Sequence, residues 1–311
     1  MPRRILLYIS ILSFAAINLF SQTHKMALTF DDLPVGKSGG YTLAQMHNIT
    51  DSLLSVLAKD TIPAIGFVNE KRLLKFGEVD ERIQILQKWL DAGLDLGNHT
   101  FSHPSLFNTD LVTYQEDLLL GEPITRKLLD ENNKELRYFR HPFLNTGPTA
   151  EIRDAFHSWL AARGYTIAFV TIDNSEWIFN AAFDRAQGIE AKQKVGEAYI
   201  DYMDKQTAFC EYVSRELLGY NLPHTMLLHA NRINAHYLDE LIEMWQKRGY
   251  QFIPIDEALK DPAYQMSDNY AGRSGVTWLY RWAYGTEKQQ AIDWRSEPEV
   301  PEFVLQLYSL R

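Results

Sequence analysis

Residues 79–104 read VDERIQILQKWLDAGLDLGNHTFSHP, and this stretch holds one complete structural unit. Ile83, Leu86, Trp89 and Leu90 recur at spacings of three and four, which marks a helix with one apolar face. Gly93 stands where that helix must stop, the usual place for a left-handed cap. Residues 94–98 then read as a short strand. The chain leaves the strand through polar residues, Asn98-His99-Thr100-Phe101-Ser102-His103. A helix, a glycine stop, a strand and a polar exit together form the half-unit of a parallel α/β sheet.

The same unit repeats on both sides. Short β-rich runs are expected at 27–30, 64–68, 94–98, 138–140, 166–172, 225–229 and 251–254. One-sided helical patterns lie between them at 42–57, 79–90, 111–129, 149–163, 184–218 and 235–248, and Gly164 and Gly249 repeat the stop that Gly93 makes. Seven strand units in a chain of 311 residues point to a distorted (β/α)7-type barrel, whose chemistry belongs at the C-terminal ends of the strands. The expected division is a catalytic domain over 26–260 and a C-terminal extension, 261–311, packed on it. A long helical insertion at 183–223 exceeds the basic pattern. The tryptophans of the extension, Trp278, Trp282 and Trp294, are read as packing residues rather than sugar-stacking ones.

Composition narrows the partners. With 46% hydrophobic residues the chain can bury one large core, and its formal net charge of −9 argues against nucleic acid as a partner. Arg3 and Arg4 precede an apolar run over 5–20, followed by Ser21, Gln22 and Thr23. That layout is an export signal over 1–21, which places the protein in the periplasm or outside the cell; a retained membrane anchor is the alternative. No further span is expected once the signal is removed. Cys210 is the single cysteine, so no intrachain disulfide or thiolate metal cluster can form, and it reads as a buried small hydrophobe.

Polar residues collect at the strand ends. The first strand leads into Asp31-Asp32, the third into His99 and His103, the fourth into Arg140-His141-Pro142-Phe143, the fifth into Asp173 to Trp177 and the sixth into His229. Two histidines and one carboxylate with open positions are a common catalytic zinc set. Neighbouring residues leaving a strand point in different directions. One member of the Asp-Asp pair can therefore hold a metal while the other faces the attacking water. His141 is read either as lining the cleft or as structural. His24, His47, His157, His224 and His236 show no matched partner in the sequence.

These segments resemble the five ordered motifs of the polysaccharide deacetylase family, carbohydrate esterase family 4, also called the NodB homology domain. The resemblance covers about residues 27–258. It implies Asp31 as general base, Asp32, His99 and His103 as ligands of one divalent metal ion (Zn2+ first, Co2+ or Ni2+ as alternatives), and Arg140 as the residue that orients the base and keeps it ionised. It further implies an oxyanion contact from the Phe143 backbone N–H, Trp177 and Leu227 as pocket walls, Glu176 where the family has aspartate, and His229 as general acid. The activity implied is removal of N-acetyl groups from the amino sugars of a chitin-like chain, poly-N-acetylglucosamine or peptidoglycan.

Three departures bear on substrate class: Leu33-Pro34 follows the acid pair where glycine is usual, Leu144 follows the third motif where glycine is frequent, and Glu176 carries one extra methylene. Rival readings are an O-acetyl esterase acting on xylan, a metal-dependent hydrolase of small amides or cyclic imides, and a non-catalytic glycan-binding protein. Oligomeric state is not legible.

Overall fold

The computed structural model describes residues 24–36 and 40–310. The expected export signal lies outside the described residues. Seven strands form one parallel sheet: β1 (His24–Leu33), β2 (Ala64–Val68), β3 (Asp95–Asn98), β4 (Tyr138–Phe139), β5 (Thr166–Ile167), β6 (His224–His229) and β7 (Tyr250–Phe252). Their order is β5-β4-β3-β2-β1-β6, with β7 on the lower end of β1. The sheet curls back on itself. Thr166 and Ile167 run beside β4, whereas Ile172 bridges to Met226 of β6, and Leu227 N–H donates to the Ile172 carbonyl at 3.0 Å. The expected strand over 166–172 thus serves both edges, its lower half on β4 and its upper half on β6. The result is the distorted (β/α)7-type barrel that the alternation predicts.

Helices cover the outside because their apolar stripes demand it. Leu43–Lys59 begins on a capping box in which Thr42 and Gln45 exchange side-chain-to-backbone bonds, and it buries Met46, Ile49, Leu53, Leu54 and Leu57. Val79–Asp91 buries Ile85, Leu86, Trp89 and Leu90, and Gly93, Gly164 and Gly249 all take the left-handed conformation expected of helix stops. Two expected helices are each divided. The stretch 111–129 becomes Leu111–Leu120 and Pro123–Glu131, because Pro123 cannot continue the first helix but starts the second well. The stretch 184–218 is divided between the end of Glu176–Arg185 and the 31-residue helix Gly188–Leu218.

The long helix is an ordinary outer layer. Tyr199 donates to Asn234 Oδ1 at 2.7 Å, and Trp245 Nε1 donates to Thr207 Oγ1 at 3.0 Å, tying it to Arg232–Lys247. Cys210 is buried within it. In the C-terminal extension Trp278 and Trp282 are each 1% exposed and Trp294 is half-buried, so packing is their use. No helix among the described residues is long and apolar enough to cross a membrane.

Candidate active site

The ends of β1, β3, β4 and β6 bring the expected residues to one rim. Asp31 and His229 are register partners across the β1·β6 pair. Asp32 adopts φ 70°, so its side chain leaves β1 in a different direction from that of Asp31. The register slips between Phe30 and Leu33, and Leu33 turns into the core. A Cβ at Gly66 of β2 would lie 2.1 Å from Leu33 Cδ1, so the leucine after the acid pair is accommodated by a glycine on the neighbouring strand.

Asp32, His99 and His103 each offer a ligand atom, and these atoms lie within 4.8 Å of one another. Asp32 Oδ1 is 3.8 Å from His99 Nε2 and 3.4 Å from His103 Nε2. His99 Nδ1 is 2.8 Å from the Arg140 carbonyl, which can only accept. His99 therefore carries its proton on Nδ1 and turns the Nε2 lone pair toward Asp32. Asp32 Oδ1 is buried with no hydrogen-bond partner among the described residues. A buried carboxylate oxygen without a donor, facing an imidazole lone pair, is costly in isolation and suits a shared divalent cation. The donor set fits the metal that the sequence implies.

Asp31 is 3% exposed. Arg140, fully buried, places Nη1 3.3 Å from Asp31 Oδ1, donates through Nη2 to Thr29 Oγ1 at 3.0 Å, and stacks on Phe67 at 4.6 Å. Burial is the largest influence on Asp31 and raises its pKa to about 6, although Arg140 and His229 pull the other way. The Arg140 charge favours the ionised Asp31, but burial outweighs it. Asp32 behaves oppositely. Burial would raise it too, yet Arg72, and then His103, His229 and His99, hold it well below the usual carboxylate range.

His229 faces this pair from β6. Its Nδ1 lies 2.8 Å from Glu176 Oε2, while Asn231 and Asn234 donate to Glu176 Oε1. The extra methylene of Glu176 thus reaches three partners. Burial would lower the His229 pKa, but the charge and hydrogen bond of Glu176 outweigh it and raise it to about 9. Leu227 is buried on β6, Trp177 is 49% exposed at the rim, and the Phe143 ring meets His103 edge-on at 4.4 Å.

Two features escape the sequence reading. Arg72, in the single turn after β2, sets Nη2 2.8 Å from Asp32 Oδ2 and donates through Nη1 to the Asp32 and Val35 carbonyls at 3.0 and 2.8 Å. The strand-end rule applied to β2 leads to it directly. His157, read as lacking a partner, pairs with buried His141, Nε2 to Nε2 at 3.1 Å. His141 is therefore structural.

Residues 21–158 match the family profile described as polysaccharide deacetylase. A peptidoglycan-N-acetylglucosamine deacetylase of Bacillus cereus is 21% identical over 237 residues, which cover 74% of this chain and 66% of that protein. A peptidoglycan-N-acetylmuramic acid deacetylase of Bacillus subtilis is 24% identical over 233 residues, covering 75% and 70%. A solved structure of a CE4 family pseudoenzyme from Bacillus anthracis aligns at 16% identity with a TM-score of 0.49, covering 77% of this chain and 66% of that one. The chain spans about two thirds of the length of these proteins. The profile takes in the first three motifs. Glu176, Trp177, Leu227 and His229 lie beyond it.

Proposed function

This chain belongs to the polysaccharide deacetylase family, and from that premise we propose that it is an exported, metal-dependent hydrolase that removes N-acetyl groups from the amino sugars of a polysaccharide. The relatives put peptidoglycan first among the glycans to test, ahead of chitin-like chains and poly-N-acetylglucosamine. The observation that carries the reading is the placement of Asp31 opposite His229 in register, beside the convergent ligand atoms of Asp32, His99 and His103.

In this reading Asp32, His99 and His103 hold one divalent cation, with Zn2+ first in line. Such an ion acts as a Lewis acid on the acetyl carbonyl and makes water more acidic. The chain's residues do the rest. Asp31, poised near neutral pH by burial, takes the proton of the attacking water on a carboxylate oxygen. Arg140 and Thr29 fix its surroundings from the back. The Phe143 backbone N–H takes the oxyanion role that the family resemblance implies. His229 has Nδ1 committed to Glu176, so Nε2 is the atom that delivers a proton to the departing amine. Leu227 and Trp177 wall the acetyl and sugar positions.

The test is acetate release by the metal-loaded mature protein from N-acetylglucosamine oligomers, peptidoglycan and acetylated xylan, with a chelator control. Chelator-sensitive release from an N-acetylated glycan is expected. Release from xylan alone would move the protein to the O-acetyl esterases. Silence on all three with metal bound would overturn the reading.

A further inference from the structure

The loop after the third motif is held in an unfavourable backbone conformation. Phe143 and Leu144 both lie in the left-handed region, at φ 57° and 51°, where side chains bearing a Cβ are strained. Two such residues in succession persist only if the surroundings over-determine them. Leu144 is also the position where the family's glycine would adopt this conformation freely.

The restraint comes from the C-terminal extension, outside the stretch that the family profile matches. Arg281 is fully buried there. Its Nη2 donates to the Leu144 carbonyl at 2.6 Å and its Nη1 to Thr146 Oγ1 at 2.9 Å. Nε donates to the Val276 carbonyl at 3.0 Å, and Asp268 Oδ2 balances the charge at 3.1 Å. Trp278 packs on the guanidinium at 4.8 Å. The backbone joins in. Asn145 Nδ2 donates to the carbonyls of Gly272 and Arg273 at 3.1 and 3.0 Å, and Gly272 N–H donates to the Gly147 carbonyl at 3.2 Å. Gly275 lies so close to Phe143 that a Cβ there would sit 1.6 Å from the Phe143 carbonyl oxygen.

We infer that the C-terminal extension is a working part of the catalytic site, and that Arg281 is a positioning residue that holds the Phe143 backbone N–H in place by gripping the Leu144 carbonyl and Thr146. Arg281 touches no reacting atom. It replaces, by an external clamp, the freedom a glycine at 144 would have given. The inference rests on the proposed oxyanion role of Phe143, so its test has one arm that does not depend on activity.

That arm is hydrogen exchange of the 143–147 amides in the full mature protein. In Arg281→Met, exchange in this segment should rise by about 10-fold or more while the β1 and β6 amides stay protected. The second arm is steady-state kinetics on the best acetylated substrate. Here kcat should fall by about 10- to 100-fold, with KM changed less than about threefold and one metal per chain retained. Arg281→Lys should recover part of both effects. Gly275→Ala, which leaves every charge in place, should lower kcat in the same way by displacing Phe143, and it decides the matter if Arg281→Met does not fold. Unchanged protection of 143–147 in Arg281→Met would overturn the clamp. A loosened loop with wild-type kcat would overturn its catalytic role. A wild-type protein inert on every substrate would instead sink the deacetylase reading, with the exchange arm still judging the clamp.

Discussion

The two sides of the cleft are finished to different degrees. On the β6 side, Glu176 is 0% exposed, and both of its carboxylate oxygens are bonded, to His229, Asn231 and Asn234. On the β1 side, Asp31 Oδ1 and Asp32 Oδ1 are buried without a hydrogen bond from any described residue. Asp31 Oδ1 still meets the Arg140 guanidinium at 3.3 Å, so the open position lies at Asp32 Oδ1, which faces the ligand atoms of His99 and His103. The contrast separates the two kinds of polar work. The Glu176–His229 side is complete by itself. The Asp31–Asp32 side leaves open the position that the proposed metal and water would take.

The largest break in this contrast is His103→Ala. It removes one of the three convergent ligand atoms, and the protein should lose metal and activity together, with kcat/KM down by about 10³ or more if metal chemistry carries the reaction. Metal analysis after dialysis and acetate release check it. Stoichiometric metal in the variant would remove His103 from the ligand set. Asp31→Asn should separate what His103→Ala merges. Metal should stay, because Asp31 is not in the ligand cluster, while kcat falls by about 10²–10⁴, the usual range for loss of a general base. Normal turnover would mean that Asp31 is not the base.

The finished side is probed by pH. His229 titrates at about 9, above its ordinary 6.5, because Glu176 outweighs burial. As a general acid it must be protonated, so activity should hold through neutral pH and fall as pH rises through about 9. Glu176→Gln keeps the shape and removes the charge. Asp32 and Asp31 are then left to oppose burial, and the alkaline limb should move down, with a larger loss of kcat at pH 8 than at pH 6. The same pair contributes to stability with a defined sign. Because the folded pKa is the raised one, the contribution is fully present below about 6.5 and disappears as pH rises through about 9. An unmoved alkaline limb would take the proton-donor role from His229.

Legibility follows the same divide. Asp31, Asp32, His99, His103 and His229 were readable because strand ends project residues onto one rim, and the α/β alternation locates the ends. The helical periods were readable for the same local reason. What failed was mostly long-range. Nothing local says that residues 166–172 serve two strands, whereas Pro123 was a local stop signal that the apolar period of 111–129 masked. Arg72 was within reach of the strand-end rule at β2, but Arg281 lies 137 positions from the Leu144 carbonyl it grips, and only the folded chain brings it there. His141 and His157 are one α-helix apart in sequence but point at each other in space. The departures at Leu33 and Leu144 were visible, but their compensations were not. Gly66 lies across a strand pair, and Arg281 sits in a tail whose aromatic content suggested packing alone.

The smallest effect concerns Arg72, and it sharpens the idea that the base side awaits a cation. Arg72 meets Asp32 Oδ2 at 2.8 Å, while Asp32 Oδ1 faces the two histidines. The arginine thus gives the carboxylate a counter-charge whether or not a metal is bound, and it leaves one oxygen turned to the ligand position. Without metal, Arg72 is the first of the charges that hold Asp32 ionised against its burial. With metal, the second cation takes over much of that task. Arg72→Gln should therefore lower the stability of the metal-free protein more than that of the metal-loaded protein. A partly buried ion pair is worth about 1 kcal/mol, so the difference should be roughly 2 °C in Tm for a chain of this size. The measurement is the gain in Tm on loading metal, which should be larger in the variant than in the wild type. Equal losses in both forms would reduce Arg72 to a tie between the Asp32 and Val35 carbonyls, and the contrast between the two sides would then rest on the convergent ligand atoms alone.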